Sequence, residues 1–214
     1  YEFMGLKCSI GDVTHRIQAS ELQDKGVLAN CHVNVLQTQD HPMFKTYAEE
    51  LKWLTTDKVR MAWVAKTIKD VSTSGNTLVL VDRISAGEIL QEQLEGSVFV
   101  SGSTKNVDRK EQYDEVSTAT NKIIIATYGV ASVGINIPRI FNLVLIEPGK
   151  SFVRVIQSIG RGIRKAEDKE NVQIWDITSS CKFAKRHLGA RKKFYKEANY
   201  PYTIEKINYE NPYT

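Results

Sequence analysis

Residues Ser151 to Lys165 read SFVRVIQSIGRGIRK. Placed on a helix at about 100° per residue, this run puts Phe152, Val155, Ile156, Ile159 and Ile163 on one side and Gln157, Gly160, Arg161 and Arg164 on the other. The first side asks for a sheet to lie on. The second carries two guanidinium groups beside a glycine that opens the backbone, a pattern suited to a planar anion such as phosphate. A solvated basic helix face would read the same way taken alone. The surroundings decide between the two.

Upstream, short apolar runs alternate with helical patterns. Leu78 lies in TLVLVD, a continuous apolar run of the kind a parallel strand covered on both faces shows. SVFVSG, KIIIAT, NLVLIE and NVQIWDI follow as further strands, and the alternation from His32 to Thr38 reads as an earlier one. Between them, Ser85 with Glu88 predicts a capping box for a helix ending at Leu94, and residues 107–116 a charged helix. Helices are also predicted from Phe44 to Leu54 and from Lys58 to Val71, with Trp53, Met61, Trp63, Val64 and Ile68 as packing residues. Ser20 with Gln23 marks a short helix that ends near Gly26. Strands separated by helices predict an α/β fold with a parallel sheet, and ligands in such sheets gather beyond the carboxyl ends of the strands. Arg83, Ser101 with Gly102, and the stretch Thr127 to Pro138 each follow an apolar run directly.

The chain has 214 residues, 42% hydrophobic and 25% charged, which suits one sizeable globular domain or one plus an appendage. No apolar run approaches the roughly 20 residues of a membrane span, and no signal peptide is legible, so an intracellular, cytoplasmic protein without membrane partners is expected. Cys8, Cys31 and Cys181 lie far apart without C-x-x-C partners, so neither a metal site nor a disulfide framework is indicated. The net charge of +4 permits nucleic acid without requiring it. The chain opens on Tyr1, which suggests a piece cut from a longer chain.

Gln157, Gly160, Arg161 and Arg164 match the Q-x-x-G-R-x-x-R pattern of motif VI in superfamily 2 helicases, found on the second RecA-like lobe of a two-lobed ATP-driven motor. The places after the four strands from TLVLVD to NLVLIE resemble motifs IV, IVa, V and VI of that superfamily, in order, with Arg109 entering the helix after Gly102. TYGVASVGI is similar to the motif V stretch of phage UvsW-type DNA helicases, and the L-x-D-x-G-x-L run from Leu22 to Leu28 resembles the helix that leads from the first lobe into the second in that group. Asn136 stands where many members carry aspartate, and the spacing from Thr127 to Gly134 is one longer than in RNA helicases, which points to DNA over RNA.

The resemblance implies a RecA-like helicase C-terminal lobe and assigns roles residue by residue. Arg164 is expected as the arginine finger on ATP bound by the preceding lobe, with Arg161 as its companion and Gln157 as a bridge. Gly134 and Asn136 would face the nucleotide, while Arg83, Ser101, Gly102, Thr127 and Gly129 would hold one nucleic-acid strand. ATP with Mg2+ is the implied cofactor, bound mainly by the upstream lobe, and branched recombination or repair DNA is the candidate substrate of a monomeric helicase in a bacterial or phage-infected cytoplasm. Taken alone, the glycines of motif V would equally suit a strand-to-helix turn.

Pro148-Gly149-Lys150-Ser151 looks like the end of a Walker A loop, but that loop needs glycine where Val144 stands, so the chain alone is expected not to hydrolyse ATP. The rival from another class is a non-catalytic nucleic-acid-binding module derived from the same fold. A Walker A lysine upstream would separate the two.

The expected organisation is a segment leading in from the upstream lobe with the first strand (residues 1–38), a helical connection (39–75), the RecA-like core (76–180), and a C-terminal helix and tail (181–214). From Lys182 to Ala198 the pattern is amphipathic, with Lys182, Lys185, Arg186, Lys192, Lys193 and Lys196 on one arc. That arc reads either as a track for a phosphate backbone or as a solvated face. His187 and Arg191 fall within the apolar arc and read as internal hydrogen-bonding residues, and the tyrosine-rich end reads as a final packed strand.

Overall fold

The computed structural model describes residues 31–102, 108, 110, 111, 120–132, 140–149, 152, 155, 156 and 172–209. The motif VI residues Gln157, Gly160, Arg161 and Arg164, the motif V residues Gly134 and Asn136, Arg109 and the Ser20 helix lie outside the described residues.

Seven strands are described: β1 (Cys31–Thr38), β2 (Thr77–Val81), β3 (Val98–Val100), β4 (Ile123–Thr127), β5 (Asn142–Ile146), β6 (Val172–Ser179) and β7 (Tyr202–Ile207). They form one sheet in the order β3-β4-β2-β5-β6-β1-β7. Every pairing is parallel, as the continuous apolar runs require when both faces are covered.

The described helices are α1 (Tyr47–Thr56), α2 (Lys58–Ser72), α3 (Ile84–Gln93), the single turn α4 (Tyr128–Ser132) and α5 (Lys182–Glu197). α1 starts later than the apolar pattern suggests because Thr46 accepts the amide of Glu49 as its N-cap, leaving Phe44 outside the helix and against the Trp53 ring. Asp57 alone separates α1 from α2 and caps the second through the amide of Arg60. The capping box read at Ser85 and Glu88 is not what starts α3. Arg83 stands at the N-cap in an extended conformation with no side-chain cap bond, which moves the first helical residue back to Ile84.

Two clusters sandwich the sheet. On one face α5, α4 and the helical positions Phe152, Val155 and Ile156 cover residues such as Leu78, Ile124 and Leu145. On the other, Met61, Val64 and Ile68 of α2 and Ala86 and Leu90 of α3 cover Val79, Ile125 and Val144, with Trp63 half-buried at the margin. Met61, Val64 and Ile68, read from the sequence as packing residues, are therefore core, and of the apolar side of the Ser151 run Phe152, Val155 and Ile156 meet the sheet. Val144, inside β5 and fully buried, leaves no room for a phosphate loop there.

The turn between α2 and β2 is fixed by packing against β5. Gly75 has φ +154°, and a Cβ there would lie 2.9 Å from Phe141. Asn142 adds hydrogen bonds from its amide to the Val71 carbonyl at 3.2 Å and to Ser74 Oγ at 2.9 Å.

Candidate nucleic-acid and nucleotide interface

The strand order brings the described candidates to one edge. β3, β4 and β2 are neighbours, and the register pairs Val100 with Ala126 and Val81 with Thr127. Ser101 with Gly102, Thr127 with Gly129, and Arg83 therefore leave three adjacent strands at the same level, spaced by about 5 Å per strand.

Their surroundings differ. Arg83 is 41% exposed, and its Nε lies 3.8 Å from an equally exposed Asp82 carboxylate, a contact too long and wet to hold the guanidinium. Thr127 Oγ1 accepts the amide of Val130 at 3.3 Å and so caps α4. Gly129 is exposed, and a Cβ there would meet only Thr127 Oγ1, at 3.9 Å. Around Gly102 the space is open, whereas Ser101 is buried. Arg83 and the two glycines are thus the surface of this edge, while Thr127 shapes its backbone.

β5 ends in a turn that leads to the helical positions Phe152, Val155 and Ile156, and this turn is gripped from both sides. Glu147 has φ +46°, a left-handed conformation unusual for a residue with a side chain. Its carboxylate meets Nη2 of Arg60 at 2.5 Å and accepts from Thr178 Oγ1 at 3.3 Å. Arg60 is fully buried and also donates to the carbonyls of Leu54 and Thr178 and to Thr38 Oγ1. The next residue, Pro148, gives its carbonyl to Arg191 Nη1 at 2.7 Å. Arg191 in turn holds Asp176 through two bonds of 2.7 and 2.9 Å, and Tyr195 donates to the same carboxylate at 2.8 Å. Tyr128 closes the ring by donating to the Ile146 carbonyl at 2.9 Å.

Such buried ions survive only when paired and hydrogen-bonded. Burial pushes the Glu147 carboxyl up to about 7, against the pull of Arg60. Burial likewise raises the Tyr128 and Tyr195 phenols, both near Asp176, so they remain donors.

Arg191 bears out the reading of an internal hydrogen-bonding residue, and the His187 ring sits edge-on against Tyr47 at 4.8 Å. Sequence reading missed Arg60, Glu147 and Asp176 as one anchoring system. The available signal was a carboxylate ending one buried strand run, NLVLIE, and another inside NVQIWDI, each of which demands a cation.

A family model for the helicase conserved C-terminal domain matches residues 59–166, which run from α2 through motif VI. The chain belongs to the helicase C-terminal domain family.

Within that family the ATP-dependent DNA helicase UvsW of Enterobacteria phage T4 is 28% identical over 220 residues, covering 93% of this chain and 44% of that protein. A putative helicase 22 of Sulfolobus islandicus filamentous virus is 33% identical over 104 residues, 47% of this chain and 18% of its own length. The chain thus spans less than half of either relative. The crystal structure of T4 UvsW superposes with a TM-score of 0.72 at 23% identity, over 84% of this chain and 42% of that one. The C-terminal domain of the DEAD-box protein Dbp5 gives 0.55 at 18% identity, over 83% of this chain and 91% of that one. These likenesses show the RecA-like fold. No helix among the described residues is long and apolar enough to cross a membrane.

Proposed function

We propose that this chain is the second motor lobe of an ATP-dependent DNA helicase or translocase. The observation that carries the reading is the convergence of Arg83, Ser101, Gly102, Thr127 and Gly129 on the carboxyl ends of three adjacent strands, next to β5, whose end precedes the motif VI residues in the chain. The similarity to UvsW, an ATP-dependent DNA helicase, supports DNA as the substrate; branched recombination or repair DNA is the form proposed here.

The donor set fits a triphosphate held by a partner lobe, because Arg161 and Arg164 offer planar forks that lysine does not reproduce. Bound ATP with Mg2+ supplies the γ-phosphoryl group for transfer to water. Arg164 would stabilise charge that develops on that group, Arg161 would second it, Gln157 would bridge to the facing lobe, and Gly134 and Asn136 would face the nucleotide. The ligands of Mg2+ are assigned to the preceding lobe, which on this reading holds most of the nucleotide. Arg83, Gly102 and Gly129 hold the strand's phosphates through a guanidinium and open backbone, which positions without reading sequence. The residues before β1 lead in from the upstream lobe, and those after β6 close this one. A monomer working in the cytoplasm of a bacterial or phage-infected cell is the simplest setting.

The test is nucleic-acid-stimulated ATP hydrolysis by the protein together with its ATP-binding lobe, comparing wild type with Arg164→Ala while nucleotide binding is followed. An arginine finger is worth about 10³ to 10⁵ in rate. Loss of two or more decades with binding retained supports the motor. Hydrolysis equal to wild type would sink it and leave the nucleic-acid-binding module.

A further inference from the structure

The exposed face of α5 breaks local rules that the fold gives it no reason to break. Lys182, Lys185, Arg186, Lys192, Lys193 and Lys196 fall within an arc of about 120° when placed at 100° per residue, and Gly189 sits at the centre of that arc. All except the half-buried Lys192 are exposed, and from Lys182 to Lys196 there is no acidic residue. Three of the cations stand in the first turns, where the helix dipole disfavours positive charge. The fold compensates from inside, since the Glu50 carboxylate accepts the amides of Phe183 and Ala184 at 2.9 and 2.8 Å. Among the described residues none of the six exposed-arc cations forms an ion pair. Lys182 and Arg186 instead lean on the Phe183 ring, at 5.4 and 5.5 Å from its centroid.

Gly189 is the second anomaly. Mid-helix glycine is unfavourable, and here no neighbour requires it, because a Cβ would meet nothing within 4 Å. Its effect is to leave a notch in the middle of the cation row where another molecule's backbone approaches closely. Local rules broken without a packing gain mark functional surface.

We propose that this face is a second DNA-binding surface that grips the sugar–phosphate backbone of duplex DNA, apart from the strand held at the carboxyl edge. The inference rests on the proposed helicase function for its partner. Three physical points select that partner. The row runs about 21 Å from Lys182 to Lys196 at 1.5 Å per residue, a straight and rigid track that suits a stiff duplex better than a single strand that must be ordered to follow it. The helix starts two residues beyond the carboxyl end of β6, so its basic face begins at the edge where the strand contacts lie. The apolar face of α5 is buried, Leu188 and Tyr195 against the sheet and Ala184 with Leu54 of α1. A membrane-lying helix would need that face free to insert.

Binding of the full-length protein to a short blunt duplex and to a single strand of the same length, followed by anisotropy across a salt series, tests the proposal. Wild type is compared with Lys185→Gln/Arg186→Gln/Lys193→Gln, with Gly189→Glu, and with Arg83→Gln/Thr127→Ala, each checked for an unchanged melting transition. Each lost phosphate contact lowers the duplex salt slope by about 0.9, so the triple variant is expected to lose up to about 2.7, and Gly189→Glu to weaken duplex binding in the same sense. Single-strand binding is expected to follow the Arg83/Thr127 variant instead. If the triple variant binds duplex with the wild-type slope while the Arg83/Thr127 variant loses the single strand, the second surface is refuted and the helicase reading stands. If no variant and no wild type binds DNA, both fall. Loss of binding to anionic vesicles without loss of binding to DNA would also overturn the proposal, in favour of a lipid surface.

Discussion

At the scale of single residues, Glu147 holds the most telling balance. Its carboxylate is buried against Arg60, yet the cost of removing it from water exceeds that attraction, and its pKa rises from 4.5 to about 7. A carboxyl that holds its proton more tightly when folded favours the folded state below its unfolded pKa. That stability is lost as pH rises through the folded value, here between about 4.5 and 7. Glu147→Gln mimics the protonated form and removes the titration. The variant is therefore expected to match wild type in urea unfolding near pH 4.5 and to become the more stable of the two, on the order of a few kcal/mol, above pH 7. If the ion pair with Arg60 instead outweighed desolvation, the variant would be the weaker one at neutral pH. A measured curve of that sign would reject the account.

At the scale of elements, two helix glycines separate what sequence shows from what it hides. Gly87 lies in α3, where a Cβ would stand 2.4 Å from the Phe99 ring, whereas Gly189 in α5 faces open space. Helix propensity treats them alike and favours alanine at both by about 0.5 to 1 kcal/mol. Packing reverses the sign at one: Gly87→Ala is expected to destabilise by about 1 to 3 kcal/mol as the ring is displaced, and Gly189→Ala to stabilise. Denaturant midpoints at constant m decide it, and shifts of the same sign in both variants would show that the Phe99 contact is soft. The strands and the α5 helix were legible because their apolar periodicity is local, and the parallel sheet followed from their alternation with helices. The start of α3 was misread because Ser85 and Glu88 form a spacing that the structure does not use, with Arg83 extended before the helix instead. The Arg60–Glu147 and Arg191–Asp176 pairs join residues 87 and 15 positions apart, which no window of sequence can bring together.

At the scale of the whole molecule, the sheet order β3-β4-β2-β5-β6-β1-β7 divides the proposed work into zones. The β3, β4 and β2 ends carry the proposed strand contacts, β5 precedes the motif VI residues in the chain, and Arg60 of α2 with Arg191 of α5 supplies the charges that lock the turn at Glu147 and Pro148. Because the proposed contact residues follow β2, β3 and β4 in the chain whereas Arg161 and Arg164 follow β5, damage to one zone should not erase the other. Arg83→Gln removes one charge-assisted bond to a phosphate, worth about 1.5 to 3 kcal/mol. It is expected to raise the DNA concentration for half-maximal stimulation of ATP hydrolysis by about tenfold or more, with the unstimulated rate unchanged. Arg164→Ala is expected to do the reverse, abolishing hydrolysis while DNA binding stays at the wild-type level. ATPase titrations with DNA, run beside binding curves for both variants, give the comparison. If Arg83→Gln lowers the unstimulated rate as much as the stimulated one, the strand contacts and the nucleotide site are not separate, and the division read from the strand order fails.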